Sequence, residues 1–172
     1  NDLTQARMDF SGMSNQTRGV MAGGTNNPGG GWTSYNIIDY VTIASAANAV
    51  DFGDIAAGAS SQPGSNGAAS PTRGVFASGS QQADISMITI ASAGNTTDWG
   101  DMNMGNATVG SDSNAIRVIY AGAYNSTKIK YSTIATNGDA VDFGDTTVKK
   151  YIPAVAASST RACIAGGKQQ PS

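Results

Sequence analysis

The stretch Thr17–Gly24, which reads Thr-Arg-Gly-Val-Met-Ala-Gly-Gly, decides the fold of this 172-residue chain because it recurs. Its counterparts, each with an arginine at the second position, are Thr72–Gly79, Ile116–Gly122 and Thr160–Gly167. The arginines follow one another at spacings of 55, 44 and 44 residues. A repeat of this length predicts an array of supersecondary units that bury their apolar faces against one another.

Two further motifs follow the arginine stretch in the first three copies. The first is rich in β-branched and aromatic residues and covers Ile38–Ser45, Ile85–Ser92 and Ile129–Thr136. The second has the pattern Asp-aromatic-Gly-Asp and covers Asp51–Asp54, Asp98–Asp101 and Asp142–Asp145. The wider first spacing comes from eight inserted residues after Gly24 and three after Asp54.

The motifs divide the chain into the repeat units 2-53, 54-100, 101-144 and 145-172, the last of which is incomplete. Asp2 corresponds to the last position of a preceding unit, because it stands sixteen residues before Arg18. We therefore expect about three and a half units. This predicts either an excerpt of a larger array or a single repeat domain whose missing strands come from another chain.

Each unit is predicted to form four short strands. The first two cover Met8 to Met13 and Arg18 to Gly23 and are joined by a turn at Ser14–Thr17, which corresponds to Ser111–Asn114 in the third unit. The third strand is the β-branched segment, and the fourth ends in the Asp motif. Glycine recurs too often for long helices. Apolar residues on both faces of the third strand predict sheets covered on both sides, as in an all-β β-propeller of ~44-residue four-stranded units.

These residues resemble the Kelch repeat family, in which a strand ending in two glycines is followed by a Tyr and then an aromatic residue, usually Trp. The corresponding positions are Gly23-Gly24, Tyr40 and Phe52; Ser78-Gly79, Met87 and Trp99; Gly122-Ala123, Tyr131 and Phe143; and Gly166-Gly167. The sequence motifs of the repeats are similar to those of Kelch-like arrays in structural proteins of marine bacteriophages. The resemblance implies a component of a phage tail or tail fibre.

Composition excludes several classes of function. The twelve acidic residues are all Asp, and the chain has no His, so there is no imidazole base, no Ser-His-Asp triad and no His-ligated zinc. This argues against an enzyme, with a hydrolase built on paired Asp carboxylates as a minor alternative. A net charge of −2 with scattered cations predicts no nucleic-acid binding, and no apolar stretch is long enough to span a bilayer. The single Cys163, between apolar neighbours, is predicted to be a small core residue.

The Asp motif is predicted to be structural. Its Asp-Phe-Gly triplet matches the magnesium-binding triplet of protein kinases, but the His-Arg-Asp loop that accompanies it there is absent. We expect the aromatic residue to pack between sheets, the Gly to form a bulge or a tight bend, and the two Asp to accept backbone hydrogen bonds at the turn. The alternative is a calcium site built from Asp98 and Asp101 or from Asp139, Asp142 and Asp145. We favour no metal and no cofactor.

The arginine column has two interpretations. One Arg and one Asp motif per unit predict a clasp in which Arg18, Arg73, Arg117 and Arg161 pair with Asp54, Asp101 and Asp145. The alternative is a ring of arginines that binds an anion.

The inserted segment is the candidate contact loop, because insertions in repeat arrays often form the binding face. Trp32 and Tyr35 could stack on a sugar ring while Asn26 and Asn27 bond its hydroxyl groups. Alternatively, the aromatic residues cover a sheet edge or contact a neighbouring subunit.

These observations predict a non-enzymatic virion structural protein of a phage tail or tail fibre. Its loops would contact other copies, other virion proteins or a host-surface polysaccharide. The alternative is a secreted bacterial adhesin or filament subunit at the cell surface, with the same repeats as scaffold. Fold alone does not separate the two.

Overall fold

The structure is a computed structural model that describes residues 2–27, 29–56, 67–78, 84–104 and 109–168. In these ranges the chain is all-β, with sixteen strands and no helix. No membrane-spanning helix is therefore found in the described part. The predicted fold class is confirmed at this level.

The first three repeats each form a four-stranded antiparallel sheet in the order of the sequence. Sheet 1 contains β1 (Ser11–Ser14), β2 (Arg18–Ala22), β5 (Ile37–Thr42) and β6 (Val50–Asp54). Sheet 2 contains β7 (Gly67–Ala69), β8 (Arg73–Ser78), β9 (Asp84–Thr89) and β10 (Thr97–Asp101). Sheet 3 contains β11 (Gly110–Ser113), β12 (Arg117–Ala123), β13 (Ser126–Thr133) and β14 (Val141–Asp145).

Two smaller hairpins complete the described strands. The insertion of the first repeat forms β3 (Thr25–Asn26) and β4 (Thr33–Ser34). The fourth repeat supplies β15 (Ala154–Ala157) and β16 (Ala162–Ala165), which pair antiparallel. They correspond to the first two strands of a sheet. The second strand β2 begins at Arg18, and β16 begins directly after Arg161, the equivalent arginine.

The strand registers of the three sheets are equivalent, as the repeat predicts. Tyr40, Met87 and Tyr131 occupy the same place, each paired with the third residue of the second strand and the first residue of the fourth. In every sheet a bulge falls at the aromatic residue of the Asp motif. The bulge was predicted at the Gly of this motif but lies one residue earlier, since the Gly keeps its strand partner and the aromatic residue is skipped in the register. The bulge turns Phe52, Trp99 and Phe143 toward the same face of their sheets.

Adjacent sheets enclose two hydrophobic clusters. The cluster between sheets 1 and 2 includes Val20, Ile38 and Phe52 from one and Phe76, Ile88 and Ile90 from the other. The cluster between sheets 2 and 3 includes Val75, Ile85 and Trp99 from one and Val118, Tyr120 and Ile134 from the other. Apolar side chains on both faces of sheet 2 are therefore buried, as expected for the middle of a stack. No closed or propeller-like arrangement of sheets is found among the described residues, so the ring stays a prediction.

Three local predictions need correction. Ser111–Ser113 belong to β11 rather than to a turn, and the turn begins at Asn114, which aligns with Asn15 when both are counted back from the arginine. Cys163 is exposed rather than buried, because no further strand covers its sheet in the described chain. The first strand starts at Ser11, while Met8 instead bridges to Thr25 of the inserted hairpin.

Candidate functional site

The contacts between consecutive sheets follow one recurring pattern, which we call the sheet junction. It has three parts: an arginine that crosses to the next sheet, a backbone ladder between a fourth strand and the next sheet's turn, and a polar first turn. Junction A joins sheets 1 and 2, and junction B joins sheets 2 and 3. This pattern is the most regular polar arrangement in the described chain.

In junction A the arginine binds a backbone carbonyl of the next sheet. The Arg18 Nη1 atom donates to the carbonyl oxygen of Ile90 over 2.8 Å. Its guanidinium carbon lies 4.5 Å from the ring centroid of Tyr40, within the range of a cation–π contact. The charge thus rests between an aromatic face and a carbonyl dipole.

Junction B repeats this arrangement. Arg73 Nη1 donates to the carbonyl oxygens of Ile134 and Ala135, both at 2.9 Å. Its guanidinium lies 5.2 Å from the Trp99 ring centroid. A planar guanidinium can serve several acceptors and stack at the same time, which explains Arg rather than Lys at these positions.

The predicted arginine–carboxylate clasp is therefore wrong. Within the described residues no ion pair joins Arg18, Arg73, Arg117 or Arg161 to Asp54, Asp101 or Asp145. The strand register gives the reason: Arg18 pairs with Thr42 at one end of β5, and Asp54 pairs with Ile37 at the other. Five residues of strand separate the two ends by about 16 Å, too far for a salt bridge.

The second part of the junction is a backbone ladder. In junction A the amide of Gly94 donates to the carbonyl of Phe52 (2.6 Å), and the amide of Thr96 donates to the carbonyl of Asp54 (2.9 Å). The amide of Asp54 donates in turn to Asn95 Oδ1 at 2.9 Å. The turn before each fourth strand is thereby fixed to the sheet before it.

Junction B has the same ladder one repeat later. Gly138 and Ala140 donate to the carbonyls of Trp99 and Asp101 at 2.9 and 2.8 Å. The amide of Asp101 donates to Asp139 Oδ1 at 3.0 Å.

The N-terminal segment makes the same ladder with sheet 1. Ala49 donates to the carbonyl of Asp2 at 2.9 Å, and the amide of Asp2 donates to Asn48 Oδ1 at 3.2 Å. Asp2 thus occupies the place that its sequence spacing predicts.

A glycine permits the close approach in both ladders. Gly53 and Gly100 have φ values of 142° and 136°, and a Cβ atom on them would lie 2.5 and 2.6 Å from the backbone of Gly94 and Gly138. Such contacts are shorter than any real side chain tolerates. Gly is therefore required for two reasons, the positive φ value and the lack of space for a Cβ atom. The Gly of the Asp motif therefore serves the junction as well as the bulge.

The third part is a polar first turn, which the sequence analysis missed. The side-chain oxygen three residues before each arginine accepts that arginine's backbone amide hydrogen bond; the residues are Asn15, Ser70, Asn114 and Ser158. These are Asx and ST turns. The sequence signal that could have revealed these turns is an Asn or Ser three positions before each of the four arginines of the column.

The amide groups of two of these residues cross to the next unit. Asn15 Nδ2 donates to the carbonyl of Pro71 at 3.0 Å, and Asn114 Nδ2 donates to the carbonyl of Ser159 at 3.1 Å. The first turn therefore links units as well as strands.

A buried ion pair covers the outer face of sheet 1. Arg7 Nη1 lies 2.9 Å from Asp39 Oδ2, and both side chains are fully buried. Thr4 Oγ1 donates to the same carboxylate at 2.6 Å, and Arg7 Nη2 donates to the carbonyl of Met21. Detaching the N-terminal segment would separate Arg7 from Asp39 and leave an uncompensated buried charge. The ion pair therefore holds this segment on the sheet. Asp39 replaces Ser86 and Lys130 of the other sheets and had no sequence signal.

The carboxylates of the Asp motif do not form a common centre. Within the described residues, no group of three or more acidic or thiol side chains is placed to hold a metal ion. Asp51 and Asp98 accept hydrogen bonds from the amides of Gly53 and Gly100, as predicted for the first Asp of the motif. The last Asp of the motif acts through its backbone in the ladders at Asp54 and Asp101, which the prediction did not foresee, whereas the Asp145 carboxylate accepts a hydrogen bond from Thr127 Oγ1.

Two carboxyl groups have opposite environments: Asp84 is the first residue of the third strand β9, and Asp145 is the last residue of the fourth strand β14. Burial raises the pKa of Asp84, and the nearby carboxylates of Asp101 and Asp98 raise it further. In sheet 3 the position of Asp84 is taken by Lys128, which lies 3.4 Å from Asp145. The hydroxyl of Thr127 chiefly, and Lys128 in addition, lower the pKa of Asp145.

The inserted segment places its four predicted contact residues in different surroundings. Trp32 is 65% exposed at the hairpin of β3 and β4, whereas Tyr35 is half-buried. Asn26 Nδ2 donates to the carbonyl of Ala6, so this amide is already used to hold the hairpin. Asn27 Oδ1 is buried, and no hydrogen-bond partner for it is found among the described residues. Of the four, Trp32 is the side chain most open to a partner.

No protein-family model matches the chain, and no curated protein matches it.

Proposed function

We propose that this chain is a non-enzymatic structural protein of a bacteriophage virion, in the tail or tail fibre. One observation carries the proposal: the arginine–carbonyl contact and the backbone ladder of the sheet junction recur in A and B. Such junctions join equivalent modules through backbone groups together with one arginine and one glycine that recur in each. Modules joined in this way build an extended or ring-shaped scaffold. The sequence motifs of the repeats also resemble those of Kelch-like arrays in phage structural proteins.

A propeller-like arrangement of the sheets is part of this proposal. The first strands of successive units contact one another, β1 with β7, β7 with β11 and β11 with β15. Ser113 Oγ, for example, exchanges hydrogen bonds with the backbone of Ala69 at 3.0 and 2.8 Å. Contacts between all first strands are expected when they surround a common axis.

The inserted hairpin is the proposed contact element for a host surface or another virion protein. Trp32 is exposed on a hairpin that the N-terminal segment holds in place through paired hydrogen bonds between Met8 and Thr25. An exposed indole on a fixed support suits stacking on a sugar ring or insertion into a protein pocket. The same exposure favours the second candidate, a secreted glycan-binding adhesin.

Mass spectrometry of purified virions and of bacterial surface fractions tests the proposal. We expect peptides of this chain in virions at the stoichiometry of a structural protein. Their presence only in the bacterial surface fraction would favour the adhesin instead. In either case Trp32→Ala should reduce binding of the protein to host cells, while Tyr124→Ala, at a comparably exposed aromatic residue outside the hairpin, should leave binding unchanged.

A further inference from the structure

The charged side chains are distributed unevenly along the chain. Residues 1–127 contain nine Asp and four Arg, whereas residues 128–172 contain all five Lys, one Arg and three Asp. The net charge is therefore negative before residue 128 and positive from there on. Opposite charges on one molecule favour association of its copies where both are accessible on the surface.

Four carboxylates gather where sheet 2 meets sheet 3, and we call this group the acidic corner. It consists of Asp84, Asp98, Asp101 and Asp139. Asp84 pairs with Asp101 across the strands, and the amide of Asp101 donates to Asp139 Oδ1 at 3.0 Å. The carboxylates repel one another, since Asp101 and Asp98 add to the burial that raises the pKa of Asp84. Within the described chain, no Lys or Arg forms an ion pair with Asp98, Asp101 or Asp139.

Positive charge lies around the turn between β12 and β13, and we call this group the basic turn. It consists of Asn125, Lys128, Lys149 and Lys150. Lys149 Nζ donates to Asn125 Oδ1 at 2.8 Å, and the amide of Lys150 donates to the carbonyl of Ser126 at 3.4 Å. These bonds hold the two lysines beside the turn. Of the three lysines only Lys128 has a carboxylate partner among the described residues, Asp145 at 3.4 Å.

The basic turn offers hydrogen-bond donors to a partner. Lys149 uses one of its three N–H groups for Asn125 Oδ1 and keeps two. The same bond occupies the acceptor of Asn125 and leaves its Nδ2 group, which is a donor. Ammonium and amide donors side by side match the oxygens of carboxylates, which accept charge-assisted hydrogen bonds.

Strand β14 connects the two groups. Asp139 stands two residues before its start, and its last residue, Asp145, pairs with Lys128. The acidic corner and the basic turn are therefore about 20 Å apart, at opposite ends of this strand. β14 is an edge strand, and Val141 on it is 53% exposed, as is its counterpart Val50 in sheet 1. Sheet 1 is followed by another sheet, so this exposure belongs to the strand position.

We propose that two copies of this chain associate side by side along β14 in antiparallel orientation, so that the basic turn of each binds the acidic corner of the other. A two-fold axis makes the contact twice, as in the commonest kind of homodimer. A second copy satisfies both charged surfaces at once, whereas an acidic polymer would satisfy only the basic turn. The exposed Val141 lies between the two charged contacts.

Sedimentation velocity of the intact protein tests the association. We expect dimers at low ionic strength. Raising the salt concentration from about 50 to 500 mM should weaken the dimer about tenfold or more, because salt screens exposed charges. An apolar interface without charge pairing would not be weakened in this way.

Charge reversal locates the contact. Lys149→Glu and Asp101→Lys should each weaken the dimer about tenfold or more at low salt, because each brings like charges together at both contacts. Both side chains are exposed, so the fold should persist, and thermal unfolding verifies this. Asp2→Lys makes the same charge change at the exposed position equivalent to Asp101, outside the acidic corner, and should associate like the parent.

Mixing the two single variants tests the two-fold geometry. In a mixed dimer the introduced carboxylate meets the introduced ammonium at one contact, and the original groups meet at the other. An equimolar mixture should therefore associate about as tightly as the parent. A head-on contact between two basic turns or two acidic corners would not be restored by mixing.

Three results would overturn the proposal: a protein that stays monomeric at about 100 μM in low salt, charge reversals that leave association unchanged, or a mixture as weak as its components. A monomer that binds polygalacturonate, a carboxylated polysaccharide, through Lys149 would instead assign the basic turn to an acidic polymer. None of these readouts depends on whether the chain is a virion protein.

Discussion

At the scale of single residues, the arginines illustrate what the spacing of a repeat predicts and what it does not. The repeat correctly identified a column of equivalent side chains. It gave the wrong partners, because sequence spacing does not tell which end of a strand or which face of a sheet a side chain reaches. Asp54 lies at the far end of β5 from Arg18, and backbone carbonyls of the next sheet take the charge instead.

Replacing Arg73 by Ala should lower the free energy of unfolding by about 1.5–3 kcal/mol, since two carbonyls lose a charged donor and Trp99 loses its cation. Urea denaturation measures this value. The matched control is Arg117→Ala, which removes a ring contact alone and should cost less than about 0.5 kcal/mol. Equal losses in the two variants would contradict the proposed role of the carbonyl contacts.

The pH dependence of stability should reveal the crowded carboxylates of sheet 2. Because the pKa of Asp84 is raised above 3.8 in the folded state, its favourable contribution is complete below 3.8 and is lost as the pH rises through the raised value. Relative to the parent, Asp84→Asn should therefore gain stability as the pH increases from about 3 to 6, by less than about 1 kcal/mol at this largely solvated site.

Asp145→Asn is the control of opposite sign. The pKa of Asp145 is lowered, so its contribution is present above 3.8 and is lost as the pH falls through the lowered value. This variant should lose stability relative to the parent as the pH increases. Parallel pH profiles for the two variants would refute both assignments.

At the scale of elements, strand content and register were predictable because β-branched residues, Gly-containing turns and the bulge all act locally. The error at Ser111–Ser113 arose because Ser and Asp favour turns in isolation, while here they form a first strand that contacts β7 and β15. The exposure of Cys163 was not predictable from its apolar neighbours, because burial depends on a covering strand. The inserted hairpin was located by the repeat arithmetic, but its anchoring to the N-terminal segment was not.

A pair of glycine variants isolates the steric part of the junction. Gly100 and Gly144 have nearly equal φ values, 136° and 143°, so Ala introduces similar backbone strain at both. Only at Gly100 would the new Cβ atom meet the backbone, that of Gly138. We expect Gly100→Ala to destabilise the protein by at least about 2 kcal/mol more than Gly144→Ala in thermal or urea unfolding. A difference near zero would show that the close approach of the turn is not needed.

At the scale of the whole molecule, stability is expected to depend mainly on contacts between neighbours, as in other repeat proteins. Junctions A and B enclose separate hydrophobic clusters, and sheet 2 contributes to both. Sheet 3 is the last four-stranded sheet of the described chain, and its Phe143 is 57% exposed, whereas the equivalent Phe52 and Trp99 are buried.

Hydrogen exchange of backbone amides, resolved by NMR, tests the recurring junction most directly. The amides of Gly94, Thr96, Gly138 and Ala140 lie in or next to the turns that precede the fourth strands, and their acceptors belong to the preceding sheet. We predict that all four exchange far more slowly than in an unstructured peptide of the same sequence, with similar protection in junctions A and B. Exchange at the rate of the unstructured peptide would contradict the account, because the sheets would then lack the ladder that joins them.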